Sequence, residues 1–227
     1  MATASSENNK SEGWQARKSA MTRQRVLDAT IECFVKRGYS NVTTGNVIEQ
    51  ANISRGTLLH HFPSKKELIQ AAVEYLHDQL LEDYTSRVAK IPKSLEGPER
   101  RRAGLYAAWD YMTSDLAVAY HEMCIAGIRD PELEDVLQQS LTQFEQHTHE
   151  KNMELFSEWV GTGEMYYLAM DISQFLMQGM AYGQIKKDRE KRVKQLIEYL
   201  ADRLEEMFQE DESTAANRHS RKLNDVE

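Results

Sequence analysis

Residues 43–68 read Thr43-Thr44-Gly45-Asn46-Val47-Ile48-Glu49-Gln50-Ala51-Asn52-Ile53-Ser54-Arg55-Gly56-Thr57-Leu58-Leu59-His60-His61-Phe62-Pro63-Ser64-Lys65-Lys66-Glu67-Leu68. The stretch divides itself into three helices. Thr43 or Thr44 caps a short helix over about residues 45–50, with Val47, Ile48 and Ala51 on one face. Asn52-Ile53 leaves room only for a sharp change of direction. Ser54 caps a second short helix carrying Leu58 and Phe62 at i, i+4, and Pro63 closes it. Ser64-Lys65-Lys66-Glu67 is a capping box that opens a third, with Leu68, Ile69, Ala72, Val73 and Leu76 inward. Two short helices across a tight turn, the second apolar inside and polar outside, form the helix-turn-helix pattern. In that pattern the second helix enters a major groove while the first crosses the phosphate backbone.

The residue chemistry agrees with the pattern. Gly56 sits in the first turn of a short helix, where glycine costs roughly 1 kcal/mol against alanine. A missing Cβ is useful there if that helix end presses close to another surface. Ser54, Arg55 and Thr57 surround it with hydroxyls, free N–H groups and a guanidinium fork, a set suited to phosphate oxygens and a guanine edge. Lys65 and Lys66 occupy the first turn of the next helix, where the dipole disfavours cations unless an anion meets them. Each feature alone is commonplace: most Ser-Arg-Gly-Thr runs merely start a helix, and most lysine pairs are a solvated face. Their order within one window is what carries weight.

Outward from this window the chain reads as helix almost throughout. A first helix runs from about Thr22 to Arg37, with Leu27, Ile31 and Phe34 inward and Gly38 ending it. Beyond the loop Pro92–Pro98, helices are expected at about Glu99–Thr113, Asp115–Ile128, Glu132–Val160, Met165–Lys186 and Asp188–Gln209, with a break at Gly161-Thr162-Gly163. The expected fold is all-α. Residues 1–13 form a disordered tail, 14–67 a helix-turn-helix domain, 68–210 a ligand-binding and dimerisation bundle, and 211–227 a second disordered tail.

Charge separates along the same boundaries. The 227 residues carry a net charge of -8, yet residues 14–67 hold nine Lys/Arg against only Asp28, Glu32, Glu49 and Glu67. A basic module joined to an acidic body is the balance of a protein that meets an anion with one end. Cys33 and Cys124 are isolated and cannot build a disulfide framework. No run approaches the roughly 18 apolar residues of a membrane span, and the polar N-terminus lacks a signal-peptide core. The expectation is a cytoplasmic protein with no membrane partner.

The run from Thr43 to Leu68 closely resembles the signature of the tetracycline-repressor (TetR) family. With the first helix and its Phe34…Gly38-Tyr39 ending, the resemblance covers about residues 20–70. It implies a DNA-facing set of Thr43, Thr44, Ser54, Arg55, Gly56, Thr57, Leu59, His60, His61 and Lys65. Within it Thr44, His61 and Lys65 would hold phosphates, and Ser54, Arg55, Gly56, Thr57 and His60 would face bases and backbone. Arg55 is the choice for direct base readout, because its fork can grip a guanine at two points. The sequence departs from the pattern at Leu59, where a DNA-touching tyrosine is usual, and at Asn52, where glycine is common in the turn. Asn tolerates the positive φ required there.

Past residue 70 the resemblance implies only helical architecture and pairing of the last two helices between two chains. The residues themselves suggest a homodimer face of Ile172, Phe175, Leu176, Gly179, Met180 and Gly183 on one helix and Leu196, Ile197, Leu200 and Leu204 on the other. Ordinary core is the alternative and must claim some of these residues, but the breadth of both faces, with Gly179 and Gly183 allowing close approach, favours a four-helix interface between two chains. Two-fold symmetry would require a pseudo-palindromic operator in double-stranded DNA, with half-sites roughly 34 Å apart. Tyr106, Trp109, Met112, Met123, Phe144, His147, Met170 and Met177 are candidates to line a pocket for an apolar or amphipathic small-molecule effector. The function expected is that of a DNA-binding transcriptional repressor released by such an effector, not an enzyme, with no cofactor and no metal. Adjacent histidines at 60 and 61 point about 100° apart and cannot comfortably share an ion. The rival readings are a di-iron helical enzyme, for which only Glu74-x-x-His77 supplies half a motif, and a helical adaptor for protein partners.

Overall fold

A computed structural model describes residues 3–156, 164–183 and 187–224, with side chains described over 13–156, 164–183 and 187–209. The described residues form nine α-helices and one short 3₁₀ turn, with no strand among them. The order is α1 (Thr3–Arg37), the turn Tyr39–Asn41, α2 (Thr44–Ala51), α3 (Arg55–His61), α4 (Lys65–Val88), α5 (Gly97–Met112), α6 (Asp115–Gly127), α7 (Pro131–Leu155), α8 (Glu164–Tyr182) and α9 (Arg189–Asn224). The expected all-α class holds. The expected break at 161–163 lies outside the described residues.

The helix starts and stops follow from local chemistry. Gly38 ends α1 at φ 71°, its N–H donating to the Phe34 carbonyl at 2.9 Å. A Cβ there would also approach the Glu122 carboxylate of α6 to 3.0 Å. The segments expected to be irregular at either end differ from expectation: α1 begins at Thr3 and α9 continues to Asn224. Their polar composition removes an apolar face to bury, but neither helical stretch contains a proline to interrupt its backbone hydrogen bonds.

The chain divides into two compact units, one of residues 1–80 with 115–145, the other of 81–114 with 146–227. The first unit therefore includes α6 and the start of α7 besides the segment 14–67. Its interior holds Leu27, Ile31 and Phe34 of α1, Val47 and Ala51 of α2, Leu58 and Phe62, and Leu68, Ala72, Val73 and Leu76 of α4. These are the positions that the apolar spacing selects. Thr30, fully buried among them, donates to the Val26 carbonyl at 2.8 Å, so its hydroxyl is not orphaned.

In the second unit α8 and α9 share a core of Ala169, Met177, Met180, Val193, Ile197, Leu200 and Leu204, against which Tyr106, Trp109 and Met112 of α5 pack. Ion pairs tie α5 to α9: Arg101 to Glu205, and Arg102 to Glu198 and Asp202. The Tyr106 hydroxyl donates to Glu198 at 2.6 Å, and burial together with that bond pushes it up to about 12.

His77 of α4 is an unusual occupant of the first unit's interior. Its ring stacks on Phe144 at 4.3 Å and meets the edge of Tyr120 at 5.0 Å, and its Nε2 has no hydrogen-bond partner. Burial lowers its pKa from 6.5 to about 4, so the ring is neutral when folded at neutral pH. Between those two values the unfolded chain binds a proton that the folded chain refuses, so stability falls as pH falls through this window. His77→Phe is expected to remove that penalty: the variant's advantage over the native chain in urea unfolding grows on going from pH 7 to pH 5, by about 1–2 kcal/mol. An advantage independent of pH would show that His77 does not titrate on unfolding.

Candidate functional site

α3 is seven residues long, too short to hold itself together, and three local devices fix it. Thr43 caps α2 in a complete capping box with Asn46. Asn52 takes the left-handed conformation at φ 50°, ψ 55°, turning the chain at the end of α2 as its side chain permits. Ser54 then caps α3, its Oγ accepting from the Thr57 N–H at 3.0 Å and sharing a hydrogen bond with the Thr57 hydroxyl at 2.9 Å. Leu58 and Phe62 anchor the inner face, both almost wholly buried.

That anchoring leaves one face of α3 free. Ser54, Arg55, Gly56, Leu59 and His60 are exposed, and Thr57 and His61 are half-buried beside them. A Cβ on Gly56 would meet, among the described residues, only the Ser54 Oγ, at an ordinary 3.7 Å, so no contact among them requires a glycine there. Thr43 is exposed and Thr44 half-buried at the start of α2. At the start of α4, Lys66 pairs with Asp135 at 3.3 Å, whereas Lys65 is exposed without an ion-pair partner among the described residues. All ten positions expected to face DNA therefore lie in one unit on α2, α3 and the first turn of α4.

The two adjacent histidines differ. Their rings meet edge-on at 5.2 Å. Burial, then the neighbouring His60 and Arg23, lowers the pKa of His61, so it offers a neutral N–H rather than a charge. Among the described residues no three His, Cys, Asp or Glu side chains gather where they could hold a metal ion. His77 of the Glu74-x-x-His77 pair sits among aromatic rings.

The second unit contains a cavity of about 390 Å³ whose lining includes Tyr84, Leu105, Ala108, Asn152, Phe156, Tyr166, Met170 and Ser173. Asn152 is its polar centre, only 3% exposed. Its Oδ1 accepts from the Tyr84 hydroxyl at 2.8 Å, and its Nδ2 donates to the Tyr166 oxygen at 3.1 Å. Phe156 lies over Gly104, where a Cβ would stand 2.7 Å from the ring. The charged lining residues Arg102, Asp202, Arg203 and Glu206 are well exposed and mark the mouth.

Of the eight residues expected to line a pocket, only Met170 does so. Tyr106, Trp109, Met112 and Met177 fill the α5–α8–α9 core, Met123 and Phe144 belong to the first unit, and His147 is half-buried outside the lining. Apolar side chains look alike in sequence whether they fill a core or border a void. Tyr166 belongs to the run of methionines and aromatics on the middle helices that the sequence offers for a ligand, whereas Tyr84 and Asn152 were missed, and only Asn152 gives a faint signal, a polar residue on the inward spacing of a helix.

The expected dimer face also divides. Ile172 and Phe175 are 40% and 66% exposed, joined by Leu168 at 50%, and a Cβ on Gly179 would enter open space. Leu176 and Leu196 are half-buried. Met180, Ile197, Leu200 and Leu204 are instead spent on this chain's own core. Gly183 has a local reason, since a Cβ there would collide with the Gly179 carbonyl oxygen.

Comparison with known proteins agrees with this architecture. Residues 26–72 match the family described as bacterial regulatory proteins, tetR family. The chain is 28% identical over 127 residues to the HTH-type transcriptional regulator CymR of Pseudomonas putida, covering 56% of this chain and 61% of that one. A shorter match, 38% over 74 residues, joins it to the regulator SrpR of the same species, covering 31% of this chain and 35% of that one. The chain thus spans about three fifths of CymR and about a third of SrpR. In fold it is similar to Salmonella enterica GusR, with a TM-score of 0.57 at 20% identity, covering 83% of this chain and 95% of that one. It is similar as well to the multidrug binding protein EbrR, solved with proflavin, with a TM-score of 0.54 at 18% identity, covering 82% and 99%. Over residues 26–72 the chain is thus similar to the tetR family of bacterial regulatory proteins, and over most of its length it shares the all-helical fold of these neighbours.

Proposed function

We propose that this chain is a cytoplasmic, homodimeric transcriptional repressor that binds a pseudo-palindromic operator and is released from it by an apolar or amphipathic small molecule. The observation that carries the reading is the exposed face of α3, where a capped helix start offers Arg55, two hydroxyls and a glycine that no internal contact explains. A major groove supplies both the close approach and the acceptors that such a face needs. A protein seated on an operator blocks access by occupancy alone, so repression requires no further surface. In this reading residues 14–67 read DNA and 68–210 hold the effector and the second copy.

The cavity around Asn152 supports the effector. Its lining is mainly apolar, with one buried amide at its centre, the composition of a small-molecule site. That EbrR, similar in fold, is solved with proflavin supports a ligand of this general kind. α4 and α7 each supply residues to both units. A ligand that moved Tyr84 on one or Asn152 on the other would bias helices that also run into the DNA-reading unit. The exposed stripe Leu168, Ile172, Phe175 and Gly179 supports a second copy on α8, because these positions recur on one helix face and stay exposed among the described residues.

Three measurements test the parts separately. Arg55→Ala is expected to weaken the selected operator by about 1–3 kcal/mol and to relax its sequence preference, while Lys65→Ala weakens all duplexes alike and flattens the salt dependence by about one ion. Unchanged discrimination by Arg55→Ala would remove it from base readout. Phe175→Glu should sediment as a monomer where the native chain sediments as a dimer; a dimer in both would move the interface elsewhere. Ala108→Phe, which places a ring in the cavity, should leave operator affinity intact but abolish release by compounds that dissociate the native complex. Release of that variant by the same compounds would refute the cavity assignment.

A further inference from the structure

The hydroxyl protons of the cavity in the second unit are already committed, and that limits what it can take. The Tyr84 hydroxyl donates to Asn152 Oδ1 at 2.8 Å, and the Ser173 hydroxyl donates to the Ala169 carbonyl at 2.6 Å. Both residues line the cavity, where their oxygens keep lone pairs but have no hydrogen left to give. Asn152 Nδ2 gives one hydrogen to Tyr166 and carries a second. The wall therefore offers an amide donor beside two hydroxyl acceptors. A ligand hydroxyl answers both, since it accepts and donates. An ether or a carboxylate answers only the donor.

Charge is disfavoured on separate grounds. Burial pushes the Tyr84 and Tyr166 hydroxyls up, so both stay protonated and neutral. Each charged side chain of the lining has a partner: Arg101 pairs with Glu205, Arg102 with Glu198 and Asp202, and Arg203 with Glu206. Arg101 is held further against the ring of Phe208, 4.5 Å away. An anion would find no uncompensated arginine there and a cation no spare carboxylate, while either would shed its hydration on entering. The void of about 390 Å³ is more than twice the roughly 150 Å³ of an engineered apolar cavity that takes up one benzene molecule. Tyr84, Phe156 and Tyr166 present rings to it. Phe156 is fixed in place, seated on Gly104 with the Arg100 guanidinium 5.6 Å from its ring.

We propose that the cavity selects an uncharged aromatic hydroxyl compound of about two rings, whose hydroxyl donates to the oxygen of Tyr84 or Ser173 and accepts from Asn152 Nδ2. The inference rests on the cavity being the effector site, and adds the chemical class that this site takes. Asn152 sets the selectivity, because it holds the Tyr84 hydrogen away from the ligand.

The test titrates the full chain by calorimetry at neutral pH with three probes on one skeleton: para-hydroxybiphenyl, para-methoxybiphenyl and biphenyl carboxylate. The hydroxyl compound is expected to bind about tenfold more tightly than the ether, and more tightly still relative to the carboxylate. Asn152→Leu frees the Tyr84 hydrogen to point at the ligand, so the ether should then bind as well as the hydroxyl compound. Equal weakening of both, with the native ratio kept, would mean that Asn152 only supports the wall and would overturn the proposal. The three titrations of the native chain decide the matter even where that variant does not fold. Binding of the ether or the carboxylate as tight as that of the hydroxyl compound would overturn the proposal, and so would binding of none of the three. Where such binding is lost in Ala108→Phe, the cavity stands as the effector site and only the ligand class falls. Undiminished binding of the hydroxyl compound to Ala108→Phe would take the cavity reading down as well.

Discussion

A helix of seven residues closes too few backbone hydrogen bonds to repay its own ordering, so α3 exists only because its neighbours hold it. Ser54 at its start, Asn52 two residues earlier in a left-handed turn, and the buried pair Leu58 and Phe62 define its position completely. The outer face follows as a consequence. Once Leu58 and Phe62 point inward, Arg55, Leu59 and His60 have nowhere to go but solvent. Rigidity of the inner face is what lets a few polar side chains on the outer face present a fixed pattern to a partner.

The same economy governs the charges. The basic side chains of the first unit are not uniformly available. Lys36 pairs with Glu32 and Lys66 with Asp135, while Lys65 at the adjacent position stays open. Exposed pairs of this kind are worth less than about 1 kcal/mol, so a phosphate can compete for Lys66 as well. His61 stands apart, because burial beside two basic neighbours keeps it neutral. The set is graded rather than simply positive.

In the second unit α8 serves two directions at once. Ala169, Met177 and Met180 close the core with α9, and Leu168, Ile172 and Phe175 point away from it. Between the core helices and the end of α7 the packing leaves a void around Asn152, whose amide is satisfied by Tyr84 and Tyr166. A buried amide engaged once at its oxygen and once at its nitrogen is less costly to bury, and its remaining donor and acceptor capacity is a specific handle for anything that enters.

Much of this was legible in the residues themselves. Capping residues, Pro63, Gly38 and the spacing of Leu27, Ile31, Phe34, Leu58 and Phe62 determine the helices of the first unit and their inward faces, since caps and turns act over three or four residues and leave their mark in order along the chain. The exposed face of α3 was legible for the same reason: the residues that form it lie within one local window. The lining of the cavity and the exposed stripe of α8 were not. Whether Met177 lines a void or fills a core, and whether Ile172 or Ile197 faces outward, depends on which helices from distant parts of the chain come to lie beside them. Apolar surface is non-directional, so its pattern says that a side chain must be covered but not by what; only the tertiary structure decides that.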